Sequence, residues 1–113
     1  MKKLIEIRSY NLKPGSRDAF HRLVCEVSLP MLKRWGVDVV AFGTSPHDDR
    51  SYYLIRAYDD LAGRKSSQDA FYGSAEWNEG PRDEIMSHIE SHASFVLELD
   101  ASLVDALRAR PGS

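Results

Sequence analysis

Ser51-Tyr52-Tyr53-Leu54-Ile55-Arg56-Ala57-Tyr58 is the stretch of sequence that decides the fold. Its residue types favour a β-strand, and apolar or aromatic side chains occur at both odd and even positions. Because successive side chains of a strand point to opposite faces, a strand of this kind is expected to be buried on both faces. The stretch therefore predicts a central strand of a sheet whose two faces are both covered.

Turn and helix signals lie directly on both sides of this strand. A polar loop at residues 45–50 joins it to an earlier β-rich run at residues 37–44, which together predict a hairpin. Asp59-Asp60 follows the strand, and either aspartate can cap a helix that carries residues 61–72.

The outer parts of the chain complete the pattern. An alternating run at residues 3–10 leads through Pro14-Gly15 into an amphipathic helix, and residues 92–99 form a last strand. The resulting order, β-α-β-β-α-β, is typical of the ferredoxin-like α+β fold. This order predicts a four-stranded antiparallel sheet with the helices on one face.

A proline interrupts the first predicted helix. Phe20 and Val24 begin an apolar stripe with helical spacing, but Pro30 within it has no amide hydrogen to offer the carbonyl of Glu26. We therefore expect a visible distortion within one turn of Pro30. Gly36 is expected to end the helix in a left-handed conformation.

The apolar character of both sheet faces predicts a dimer. The predicted helices cover only one face, and an uncovered apolar face of roughly several hundred Å² is rare on a monomer. A second copy that packs sheet to sheet, as a closed two-fold homodimer, would cover it. Residues 1–100 are predicted to form this domain, and residues 101–113 a C-terminal tail in which Ser102 caps a short helix.

Composition excludes several classes of partner. The chain has 113 residues, 42% of them hydrophobic, and a formal net charge of −2, which suits one globular domain without a basic field for nucleic acid or an anionic membrane. No apolar run approaches the roughly 20 residues that cross a bilayer. A single cysteine, Cys25, excludes an internal disulfide and fits a reducing compartment. We expect a cytoplasmic protein without a nucleic-acid or membrane partner.

Four segments of the chain form a recognisable set. They are Glu6-Ile7-Arg8-Ser9-Tyr10-Asn11-Leu12-Lys13-Pro14-Gly15, Leu29-Pro30-Met31-Leu32 with Trp35-Gly36-Val37, Tyr58-Asp59-Asp60-Leu61-Ala62, and Phe71-Tyr72-Gly73-Ser74-Ala75-Glu76-Trp77. Together, in this order over about residues 4–99, they resemble the NIPSNAP family. The resemblance implies the dimeric α+β barrel superfamily, and hence the same dimer. It implies no settled activity, because related folds include cofactor-free monooxygenases, lactone isomerases and haem-handling enzymes.

Two pairs of residues have the i,i+4 spacing of neighbours on a helix. His88 and His92 are one pair, but Ile89 stands where a zinc-protease helix has glutamate, and a zinc site needs three or four ligands. We expect no metal and no cofactor.

His21 and Cys25 are the other pair and could form a thiolate nucleophile, but no third group that would orient the imidazole is evident. A half-buried thiol beside a surface imidazole is the favoured interpretation.

The first strand carries charged residues on one face. Glu6, Arg8 and Tyr10 share this face, and strand one is expected to pair with strand three, which carries Arg56. The structural interpretation is an Arg–Glu pair that sets the register of the sheet or dimer. The functional interpretation is that Arg8 or Arg56, with Tyr10 or Tyr53, orients an anionic or carbonyl-bearing ligand in an apolar pocket.

We predict a ligand pocket between the first helix and the sheet. Its expected border is Arg8, His21, Trp35, Tyr53 and Trp77, which combine cationic or polar-tipped groups with aromatic surface. These residues favour a homodimeric protein that binds a small apolar or aromatic molecule between helices and sheet. The alternative is a cofactor-independent monooxygenase or isomerase that acts on an aromatic or enolisable substrate.

Overall fold

The computed structural model describes residues 1–108 as four strands and six helices. Its elements in chain order are β1 (Leu4–Leu12), α1 (Arg17–Leu23), a π-helical segment (Val24–Ser28), α2 (Leu29–Arg34), β2 (Asp38–Thr44), β3 (Ser51–Tyr58), α3 (Leu61–Tyr72), α4 (Ala75–Asn78), α5 (Arg82–Ser87), β4 (Ile89–Glu98) and α6 (Ala101–Arg108). No helix within this range is long and apolar enough to span a membrane.

The four strands form one antiparallel sheet in the order β2-β3-β1-β4. This confirms the predicted α+β, ferredoxin-like fold, with β3 and β1 in the centre. The register places Glu6 opposite Arg56, so two charged side chains meet in the middle of the sheet.

The last strand begins earlier than predicted. Its predicted start is residue 92, but α5 ends at Ser87 and Ile89 already pairs with Leu12 of β1. A shift in register between Asn11 and Leu12 admits this additional pair. The start of the strand therefore depends on a partner that is distant in sequence.

The larger apolar core lies between the sheet and helices α1 to α5. Its most buried members, at 4% exposure or less, are Leu12, Phe20, Met31, Leu32, Tyr52 and Phe71. Phe20 packs edge-on against Tyr52 with ring centroids 5.1 Å apart, an arrangement that aromatic pairs favour. This core anchors the first helical region to the central strands.

The second face of the sheet is partly covered by α6, the short helix predicted in the tail, although its packing on the sheet was not predicted. The helix begins at Ala101, so Ser102 lies inside it and is not its cap. Val104 on this helix is fully buried against Ile5, Val40 and Ala57, and burial of such a side chain stabilises the fold by about 2 kcal/mol. The predicted tail therefore contains a helix that belongs to the core, while residues 109–113 of that tail lie outside the described part of the chain. The helices thus do not all lie on one face.

The distortion predicted near Pro30 is a five-residue π-helical segment, Val24–Ser28, that directly precedes α2. The amide of Leu29 bonds to the carbonyl of Val24, five residues back rather than four, which widens the helix where proline removes an ordinary bond. The helix ends after Arg34, and Gly36 has a φ of 72°. Both expectations for this region are confirmed.

Candidate functional site

A half-enclosed cleft of about 260 Å³ lies between the sheet and helices α3 to α5. Strand β1 contributes Arg8 and Tyr10, α3 contributes Tyr72, and the segment after α3 contributes Trp77. Ile85, Met86 and Ile89 extend the apolar wall, while Arg82 and His92 lie at its border. Apolar walls with a few polar groups are typical of small-molecule sites.

A buried carboxylate stands behind this cleft. Glu6 is fully buried and accepts hydrogen bonds from Arg56 and Arg64, with the Nε of Arg56 at 3.0 Å from Oε1 and the Nε of Arg64 at 2.8 Å from Oε2. The side-chain amide of Gln68 also donates to Oε2, at 2.7 Å. Both carboxylate oxygens are therefore occupied by donors from β3 and α3.

The pKa of Glu6 is set by burial, which raises it, and by its charged and hydrogen-bonding partners, which lower it. Burial alone would raise it, but the charge of Arg56 and the hydrogen bonds from Gln68, Arg56 and Arg64 outweigh burial and lower the pKa from 4.5 to about 2. Glu6 is thus ionised throughout the physiological range. It serves as the counter-ion of Arg56, which is 1% exposed.

Arg8 is left without a carboxylate partner among residues 1–108. One of its terminal nitrogens donates to the hydroxyl of Tyr72 at 3.3 Å, and its buried Nε has no hydrogen-bond partner. Arg56 donates to the same hydroxyl at 2.9 Å. Both guanidinium groups also lie near the Tyr72 ring, at 5.7 and 5.8 Å from its centroid, within the range of cation–π attraction. Tyr72 is therefore the group that connects the buried ion pair with the cleft.

A break after α3 positions the aromatic wall. Helix α3 ends at Tyr72, and the Ser74 side chain then accepts a hydrogen bond from the amide of Trp77 to cap α4. Trp77 packs edge-on against Tyr72, with ring centroids 5.4 Å apart, and against Phe71 at 5.5 Å. The Asp60 side chain caps the start of α3 by accepting from the amide of Gly63, in agreement with the predicted cap.

The structure brings two of the five predicted site residues together, Arg8 and Trp77. Tyr53 lies on the opposite face of the sheet, beside Gly43, because the strand alternation that buries Tyr52 and Leu54 under the helices directs Tyr53 away. Placing Tyr53 in this pocket was therefore wrong on geometric grounds.

His21 and Trp35 are engaged elsewhere. Trp35 is 38% exposed and donates from its indole nitrogen to Glu76 at 2.8 Å. His21 accepts or donates through Nδ1 to the Tyr52 hydroxyl at 2.6 Å, and its Nε2 is 3.7 Å from the exposed Cys25 sulfur. Tyr52 is the orienting group that was not evident in the sequence, and burial raises its pKa, which keeps the phenol protonated.

The space between α1 and the sheet is almost filled. The cavity there measures about 40 Å³, which suits about one water molecule rather than an organic ligand. The predicted pocket next to the first helix is thus replaced by the cleft under α3 to α5. A wider groove of about 830 Å³ near Asp59 and Asp100 is shallow and bordered by carboxylates, without aromatic walls.

Sequence reasoning missed the polar face of α3. Arg64, Gln68 and Tyr72 are spaced at four-residue intervals, so they lie on one side of the helix, and in the structure all three reach Glu6 or Arg56. This four-residue spacing of polar side chains was the signal in the sequence that indicated a polar helix face.

His88 and His92 do not form a helical pair. His88 directly follows the last residue of α5, whereas His92 lies within β4 at the mouth of the cleft. Within residues 1–108 no group of three His, Cys, Asp or Glu side chains is placed to hold a metal ion.

Comparison with known proteins places this geometry in a family. The NIPSNAP family model matches residues 5–102. No curated protein gives a significant match. A NIPSNAP domain protein from Burkholderia xenovorans is similar in structure with a TM-score of 0.77 and 20% identity, over 87% of this chain and 95% of that one. A NIPSNAP family protein of unknown function from Agrobacterium tumefaciens gives a TM-score of 0.78 and 20% identity, over 86% and 87%.

A third similar structure is outside the group of proteins named NIPSNAP. It is a proposed antibiotic biosynthesis monooxygenase from Bordetella bronchiseptica, with a TM-score of 0.67 and 18% identity over 86% of this chain and 96% of that one. At these identities the structures show a shared fold, and fold alone does not assign an activity. The family is decided by the match of the sequence model over most of the chain, and we conclude that this protein belongs to the NIPSNAP family.

Proposed function

We propose that this protein is a homodimer that binds a small organic molecule with an apolar or aromatic body in the cleft between helices and sheet. The observation that carries the proposal is the cleft itself, where Tyr72 and Trp77 form an aromatic wall beside Arg8, whose buried Nε has no partner within residues 1–108. A half-buried arginine that lines an apolar cleft without a carboxylate partner within residues 1–108 favours a ligand there.

Binding is better supported than catalysis. The alternative function, a cofactor-independent monooxygenase or isomerase, needs a group that accepts a proton from the substrate within the cleft. Burial raises the pKa of Tyr10 to about 12, so its hydroxyl remains protonated, and His92 at the mouth of the cleft makes no side-chain hydrogen bond within residues 1–108 that would orient it as a base. The cleft residues of the described chain are therefore better suited to holding a molecule than to deprotonating it.

The dimer would form through the part of the sheet that α6 leaves open. Phe95 is 59% exposed there, and the register places it beside Ile7, which pairs in turn with Ile55. These three side chains form one apolar row across β4, β1 and β3. A second copy that packs on this row would bury it, and a two-fold axis makes the same row complementary to itself.

Trp77 allows ligand binding to be measured directly. A screen of aromatic acids, quinones and acyl compounds should change the tryptophan emission for at least one class, and the Trp77→Phe variant should lose that change while Trp35→Phe retains it. Emission that no compound alters, with no shift in Tm, would contradict a ligand-binding function.

The dimer is tested by sedimentation at micromolar concentration. The expected mass is twice the 12.8 kDa of the chain. Phe95→Asp should give a monomer, because a carboxylate in the apolar row cannot be buried without a partner. Ala19→Asp, on the exposed side of α1, is the matched control and should remain a dimer. A wild-type monomer at this concentration would contradict the proposal.

We also infer a cytoplasmic location. The support is Cys25, an exposed free thiol, since such thiols persist in reducing compartments.

A further inference from the structure

We propose that the ligand of the cleft is an organic monoanion, a carboxylate on a compact planar apolar body, and that Arg8 is the residue that selects it. This inference rests on the proposed binding function and names the class of molecule. The geometry that points to it is an excess of positive charge next to an apolar cleft, which is lined by the guanidinium of Arg8 and by Tyr72, whose hydroxyl proton the protein does not use.

The charge excess follows from the partners of Glu6. Arg56 and Arg64 share the Glu6 carboxylate as counter-ion, and its two oxygens are already occupied by these two arginines and Gln68. Arg8 is on the same face of β1 as Glu6, two residues along, yet it does not bond to it. A half-buried positive charge without a counter-ion is unfavourable, and an anion in the cleft would neutralise it.

The unused donors define the geometry of recognition. The Nε of Arg8 is unpartnered within residues 1–108 but is enclosed by the protein, so the part of the guanidinium that lines the cleft is the part that can donate to a ligand. Both hydrogen bonds of the Tyr72 hydroxyl in this range come from guanidinium donors, at 3.3 Å and 2.9 Å, so its own proton remains available. A carboxylate has two acceptor oxygens, which suits one N–H and one O–H donor that belong to neighbouring groups.

The cleft limits the rest of the molecule. Its volume of about 260 Å³ and its walls of Tyr72, Trp77, Ile85 and Met86 suit a one- or two-ring body that can stack on aromatic surface. Arg82 at the border donates to Asp83 at 3.1 Å, so its charge is partly compensated and it is not the main anion contact.

The experiment compares matched ligands by calorimetry on the full chain at pH 7.5. 2-Naphthoate and 2-naphthamide have the same apolar body and differ in charge. The carboxylate should bind about 10- to 100-fold more tightly, the range expected for hydrogen bonds that involve charged groups. Arg8→Met should abolish this preference with little effect on the amide, and Arg8→Lys should restore part of it. Arg22→Met, which removes an exposed arginine from α1, should leave the preference unchanged.

The outcomes separate the two proposals. Equal binding of acid and amide would overturn the anion inference and leave the binding function standing. No binding of either compound, together with no hit in the fluorescence screen, would overturn both. A preference for the acid that Arg8→Met retains would overturn the role of Arg8.

Stability provides a second readout for Arg8. Because Arg8 has no carboxylate partner within the described residues, Arg8→Met should leave the midpoint of urea unfolding unchanged or raise it. A purely structural arginine would lower the midpoint when it is replaced, and that result would contradict the inference.

Discussion

Replacing Glu6 by Gln should destabilise the protein strongly, because it removes the only counter-ion of Arg56 and Arg64 found in the described structure. The folded-state pKa of Glu6 is about 2 against an ordinary value of 4.5. At about 1.4 kcal/mol for each unit of pKa, this difference corresponds to about 3 kcal/mol of stabilisation at neutral pH. Loss of one partner from a buried ion pair independently costs about 3–5 kcal/mol. Both routes therefore predict a loss of about 3 kcal/mol.

The stabilisation by Glu6 should depend on pH, in a direction that its pKa shift determines. Because the folded pKa is below the ordinary value, the stabilisation is present above about pH 5 and is lost as the pH falls toward 2. The free-energy gap between wild type and Glu6→Gln should therefore narrow by about 2 kcal/mol between pH 7 and pH 3. Hydrogen bonds, first of all from the Ser51 side chain, also lower the pKa of Asp48 to about 2, and the comparison between the two proteins cancels its contribution.

Urea unfolding followed by circular dichroism measures this gap. The two proteins should be compared at one fixed protomer concentration, since the stability of a dimer depends on concentration. Glu26→Gln, on the exposed side of the π-helical segment, is the control and should stay within about 0.5 kcal/mol of wild type. A Glu6→Gln loss below about 1 kcal/mol, with a gap that does not change with pH, would refute the assignment of Glu6 as the counter-ion.

Three smaller changes test other contacts by the same unfolding measurement. Gly36→Ala should cost about 1 kcal/mol, because φ is 72° and a Cβ there meets no neighbouring atom, so that only backbone strain contributes; no loss would show that the turn is remodelled. Val104→Ala should cost about 2 kcal/mol if α6 packs on the sheet as described, whereas a neutral result would mean that this helix detaches freely. Tyr52→Phe should cost about 1 kcal/mol through the lost hydrogen bond to His21, while Tyr53→Phe on the opposite face should cost less; equal effects would contradict the face assignment.

The fold was largely predictable because it depends on local signals. The run of β-favouring residues at 51–58 gives β3 the same boundaries in the sequence and in the structure, and the cap at Asp60 and the distortion before Pro30 also follow from single residues. Element ends that depend on a distant partner were less predictable. Ile89 belongs to a strand because Leu12 lies opposite it, which no local pattern reports.

The kinds of residue that form the site were predictable from the sequence, but which of them share one cleft was less so. Arg8 and Trp77 do share a cleft, but Tyr53 was grouped with them although its parity in β3 already placed it on the other face. The contact between Arg64 and Glu6 could not be predicted from the sequence. Arg64 lies on α3, and the sequence does not show the angle at which that helix crosses the sheet.

The contrast between Glu6 and Arg8 shows how the register of the sheet creates the proposed site. Both residues lie on the same face of β1, and an ion pair between them would have given Arg8 a counter-ion and taken it from Arg56 and Arg64. The antiparallel register instead sets Glu6 opposite Arg56, and α3 adds Arg64 and Gln68 to the same carboxylate. Arg8 then lies next to a carboxylate whose oxygens are already occupied. Neutralising Glu6 is therefore expected to lower the stability of the fold, because Glu6 is a buried counter-ion. Neutralising Arg8 is expected to leave the stability unchanged or to raise it, because Arg8 carries an uncompensated charge that a bound anion would neutralise.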